Sequence, residues 1–181
     1  MPVWAEVVLV VIGVLVLLAA AAAAAVFGWR AYTRRLVLRL VVRAEAIEAA
    51  GQALLDAVGR LASADDETLA EFATDPESPE RRVMHDVSTR AHMLAYEIDR
   101  MPLPRSLVPV AEALADAAVV IDREASHVQD PHEGHSALDA LTNIDLEAVR
   151  AYLASAHMRL TEECVTHGLD DMAVYGGGLY L

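Results

Sequence analysis

Residues 7–27 read VVLVVIGVLVLLAAAAAAAVF, and residues 28–43 continue GWRAYTRRLVLRLVVR. The first run carries no charged or strongly polar side chain. Its ~21 residues span roughly 31 Å as a helix, against a hydrocarbon core of ~30 Å. Within lipid every backbone N–H and C=O must be paired inside the segment, which a helix achieves. Trp4 and Trp29 bracket the run at the depth of the aromatic belts. No arginine precedes it, whereas Arg30, Arg34, Arg35, Arg39 and Arg43 follow it. The positive-inside rule then puts the long C-terminal part in the cytoplasm, with those five arginines at the membrane surface against anionic lipid. A cleaved signal peptide is the rival reading, since Ala19–Ala25 offers Ala-x-Ala sites. Glu6 stands where such a peptide carries positive charge. Ala20, Ala24 and Gly28 recur every four residues, a small-residue face that suits close helix approach in lipid.

Composition agrees with a membrane protein. The chain has 181 residues, 55% of them hydrophobic, and a mean hydropathy of +0.33. Its net charge is −13, which argues against nucleic acid as a partner. All 14 basic residues are arginine, and with the alanine and valine excess this implies a GC-rich, bacterial coding sequence. The single cysteine, Cys164, excludes a disulfide framework and a cysteine-based zinc site. Residues 1–62 hold six Arg against four acids, and residues 63–181 hold eight against 23. The distal part is therefore acidic and should stand off an anionic membrane.

Beyond residue 28, apolar residues recur at three- and four-residue steps, the period of an amphipathic helix. Leu36, Leu40, Ala44, Ile47, Gly51, Leu54, Val58 and Leu61 form the first such seam. A weakly helical linker at 63–79 includes a short amphipathic piece around Leu69 and Phe72. A helix over 79–101 is predicted, with Ser78 as N-cap, Pro79 in its first turn and the seam Val83, Val87, Ala91, Leu94, Ile98 and Met101. Pro102 and Pro104 stop it. The next helix starts near Ser106 and uses Leu107, Ala111, Leu114, Ala118, Ile121, Ala125 and Val128. A connector helix is predicted at 137–141. The last long helix covers 145–167, uses Leu146, Val149, Leu153, Ala156, Leu160 and Cys164, and ends on Gly168. The fold expected is all-α: a single N-terminal transmembrane helix followed by a cytoplasmic antiparallel four-helix bundle with coiled-coil-like seams. The expected divisions are an external N-terminus at 1–6, a transmembrane helix at 7–28 and a basic juxtamembrane helix at 29–62. The linker at 63–79, an acidic bundle at 80–168 and a Gly-rich apolar tail at 169–181 follow.

Candidate chemistry is sparse. Glu124 and His127 form Glu-x-x-His, the spacing carboxylate-bridged di-metal bundles use, although such sites need a second motif and two further inward carboxylates. His132, Glu133 and His135 add a loop cluster with the residue types that bind zinc or nickel. No Walker loop, nucleophile elbow or basic–aromatic surface occurs. The set Glu80-Arg81-Arg82, then His85-Asp86-Val87, lies near the start of a helix that a Pro-Leu-Pro turn joins to the next. It resembles the phospho-accepting box of bacterial sensor histidine kinases, in which a His-Asp pair sits early in the first helix of a dimerisation hairpin. The resemblance implies His85 as phospho-acceptor, with Asp86 holding the imidazole. It covers about a dozen residues, and the ATP-binding α/β domain of that family has no counterpart after Asp130. The function expected is a non-catalytic, membrane-anchored scaffold or regulatory adaptor that needs no cofactor and sits in the bacterial inner membrane. Its partners would be the lipid bilayer, an unidentified protein and a second copy through apolar seams. The alternatives are a histidine phosphotransfer-like bundle and a metal-binding bundle.

Overall fold

The computed structural model describes residues 3–129 and 136–169, with side chains from residue 12 onward. The chain is all-α: α1 (Val3–Ala62), α2 (Asp66–Thr74), α3 (Pro79–Asp99), α4 (Val108–Gln129), α5 (Ala137–Thr142) and α6 (Leu146–Thr166). No strand occurs among the described residues. One long helix, α1, is apolar enough over its first part to cross a membrane, and five further helices pack behind it in sequence. The chain divides into two compact units, residues 1–36 and 37–181. The tail at 170–181 and the loop histidines His132 and His135 lie outside the described residues.

The first unit is helix alone. Its apolar side chains from Ile12 to Phe27 point into open space: Leu15 is 59% exposed, Leu17 71% and Phe27 71%. The Trp29 and Tyr32 rings meet at 5.9 Å between centroids. The Thr33 hydroxyl donates to the carbonyls of Trp29 and Arg30, at 3.1 and 3.0 Å, so it stays satisfied without water.

The second unit holds the core. Within it α1 buries Leu40, Ala44, Ile47, Leu54 and Leu61, as the periodicity requires. Ala57 takes the place expected of Val58, the apolar residue beside it. On α3, Met84 likewise replaces Val83. All seven seam residues are buried, Leu107 just before α4 and the other six on it, and α4 also buries Val110, Ala117 and Val120. Its buried face is the widest because it packs on both α3 and α6.

Polar contacts fix how neighbours run. His85 of α3 faces Gln129 of α4, while His92 faces Asp122, so the two helices are antiparallel. Arg43 of α1 pairs with Glu97 of α3 at 3.2 Å. Glu48 of α1 meets His157 of α6 at 3.1 Å. One turn along α1, a Cβ added at Gly51 would stand 2.7 Å from Leu153 Cδ1 and 3.3 Å from Ile121 Cδ1. Glycine is thus what lets α1 approach α4 and α6 this closely.

The ends of the helices follow from their sequences. Asp65 accepts from the Thr68 N–H at 2.9 Å and starts α2. Fully buried Phe72 pins α2 to the core. Ser78 occupies the N-cap of α3, but its buried hydroxyl makes no cap bond or other hydrogen bond. Ser136 and Asp139 form a capping box on α5. Asp145 caps α6 through the Ala148 N–H at 2.8 Å. Helix α6 closes in a Schellman turn: Gly168 takes φ +67°, its N–H reaches the Val165 carbonyl, and the Leu169 N–H reaches Cys164.

Candidate functional site

The start of α3 and the end of α4 enclose an open cavity of about 390 Å³. Arg81, Arg82, His85 and Asp86 line it from α3. Pro76 and Glu77 from the preceding loop and Gln129 from α4 complete it. Pro79 starts α3 with a fixed φ, so the next two turns carry both arginines and the histidine into one wall. The Arg82 Nε lies 3.4 Å from Glu77 Oε2, an exposed pair. The Arg81 guanidinium lies over the ring of Phe72, its Cζ 5.6 Å from the centroid. Its buried Nε has no hydrogen-bond partner, and no carboxylate among the described residues pairs with it.

His85 is exposed, and its Nδ1 lies 3.0 Å from Gln129 Oε1. An amide oxygen only accepts, so Nδ1 is the donor in this contact. The resemblance gave the orienting role to Asp86. The hydrogen-bond partner of the His85 Nδ1 is Gln129, 44 residues away on the neighbouring helix. Gln129 Nε2 is buried and unpartnered.

One turn further along α3, Ser88 donates to Asp122 Oδ1 at 2.6 Å, and a turn beyond it His92 Nδ1 meets Oδ2 at 3.1 Å. This Ser, Asp and His set escaped the sequence reading because it joins two helices. It is no nucleophilic triad, since serine and histidine each bind the carboxylate and the aspartate stands between them.

The Glu-x-x-His pair separates. Glu124 is 3% exposed, whereas His127 is exposed. Glu124 Oε1 accepts from Arg123 Nε at 2.8 Å and Nη2 at 2.7 Å, and Oε2 accepts from the Asp145 N–H at 3.0 Å. Oε2 thus holds the entry to α6, while Oε1 is taken up by the neighbouring arginine. Among the described residues no three His, Cys, Asp or Glu side chains converge as a metal site would require.

Of the five arginines after the apolar run, Arg30, Arg34, Arg35 and Arg39 are exposed. Arg43 is half-buried, tied to Glu97 and donating to the Arg39 carbonyl at 3.2 Å. Among the described residues two titrations are displaced, both away from the cavity. Hydrogen bonds from the Thr68 side chain, and then from its backbone N–H, hold the Asp65 carboxyl below 3.8. Burial, and then the Glu163 charge, push the Cys164 thiol above 9.0. No family model, curated protein or solved structure matches the chain.

Proposed function

We propose that the protein is a membrane-anchored, non-catalytic helical scaffold or regulatory adaptor. The observation that carries this reading is the contrast along α1. Its described apolar side chains from Ile12 to Phe27 are exposed, whereas from Val37 on the same helix buries a seam. Unburied apolar surface of this extent belongs in lipid or against a partner. On this reading α1 enters the bilayer with its N-terminus outside, and Arg30, Arg34, Arg35 and Arg39 lie at the cytoplasmic headgroups of the inner membrane. The rest is a cytoplasmic antiparallel four-helix bundle of distal α1, α3, α4 and α6. The pairs Arg43–Glu97, His92–Asp122 and Glu48–His157 support that arrangement. Its helix surfaces hold a partner near the membrane.

Protease treatment of intact spheroplasts carrying a C-terminal tag tests the placement. The tag should survive until the spheroplasts are lysed, and digestion before lysis overturns the reading. A membrane-preserving pull-down through the same tag should recover a partner.

One observation favours a second reading, a phosphotransfer-like role for His85. Gln129 holds Nδ1 of the exposed His85, so Nε2 is the ring nitrogen that would attack a phosphoryl group. Incubation with phosphorylated response regulators should label the chain, and His85→Gln should abolish the label. Absence of label from every donor overturns it.

A further inference from the structure

We infer that the cavity between α3 and α4 binds a phosphoryl oxoanion, either free phosphate or the terminal group of a phosphate monoester. The unmet groups decide the class of ligand. Arg81 Nε and Gln129 Nε2 are both buried, both donors and both without a partner. Burying an unpaired donor is costly, so a ligand gains most here by bringing acceptors. The Arg81 guanidinium is an unpaired cation in a chain of net charge −13, braced on Phe72 rather than spent on a carboxylate. Arginine presents its Nε and Nη donors as a fork that suits phosphate.

The two donors come from different helices, and Arg82 adds a third direction. A tetrahedral oxoanion accepts along several directions at once, whereas a carboxylate accepts in one plane. Both arginines belong to the first turn of α3, the positive end of a helix whose N-cap hydroxyl forms no bond. The volume of about 390 Å³ leaves room for an organic group beyond the phosphate. A cation is disfavoured, because Glu77 is engaged by Arg82 and leaves Asp86 as the one unengaged carboxylate in the lining. Asp86 opposes an anion and should weaken its binding. The inference does not require His85 to be phosphorylated.

Calorimetric titration of the full chain in detergent micelles, in a buffer free of phosphate and sulfate, tests it. One arm uses inorganic phosphate and the other a nucleoside monophosphate, so the stronger arm identifies the source. Saturable binding is expected, about tenfold weaker in Arg81→Gln and in Gln129→Leu. Asp86→Asn should tighten it. Circular dichroism confirms that each variant folds, and Gln129→Leu spares the Arg81–Phe72 contact if Arg81→Gln loosens α2. No saturation by either ligand up to about 10 mM, or affinity unchanged in both folded variants, overturns the inference. Binding in the absence of any His85 label removes the phosphotransfer reading and leaves this one standing.

Discussion

Glu124 illustrates what a residue's neighbours in sequence conceal. Its spacing to His127 suggested a ligand pair, yet burial turns one inward and leaves the other outside. Its partner at Asp145 lies 21 residues away, beyond α5 at the N-cap of α6. Glu124→Ala should therefore act on stability, leaving the Asp145 N–H without its acceptor at a cost of about 1–3 kcal/mol. A lowered urea midpoint at unchanged slope would report it. Asp65 gives a second prediction, in acid. Its folded carboxyl lies below 3.8, so its cap on α2 is fully present above that value and is lost as pH falls through the depressed one. The Thr68 amide resonance should follow this transition. Asp65→Asn, which still caps but does not ionise, should flatten it. The His85–Gln129 bond was equally hidden, since nothing local to either residue announces a contact across 44 positions.

At the scale of elements, most of the helices were legible. Seams at helical period give α3, α4 and α6, and Gly168 gives the end of α6 through its positive φ. What the seams missed was rotation. Met84 and Ala57 are buried where Val83 and Val58 were expected, because apolar residues stand side by side and packing selects between them. Gly51 sat in the first seam without its role being visible. Its missing side chain is what admits Leu153 and Ile121. Gly51→Val should destabilise the second unit by about 1–3 kcal/mol, measured by thermal melting, because two core side chains must yield to a branched one. Gly51→Ala should cost less, since the nearest atom is the movable tip of Leu153 and alanine favours the helix.

For the whole molecule, composition already separated an apolar, arginine-flanked beginning from an acidic remainder. The division into units at residues 36 and 37 falls inside α1, where sequence shows no break because the helix continues through it. The second unit has its own core, so a fragment of residues 37–169 should unfold cooperatively without detergent, while the full chain should resist extraction by alkaline carbonate. An uncooperative melt of the fragment would show that its core depends on the preceding residues. The cavity was not legible, because it needs the loop before α3 and the last residue of α4 to meet. Cys164 adds a practical consequence. It is the sole thiol, 1% exposed on α6 and held in its unreactive protonated form. A disulfide dye can colour this chain only during moments when α6 lifts away, so the protein carries its own stopwatch for breathing, with one mark per molecule and no engineered label.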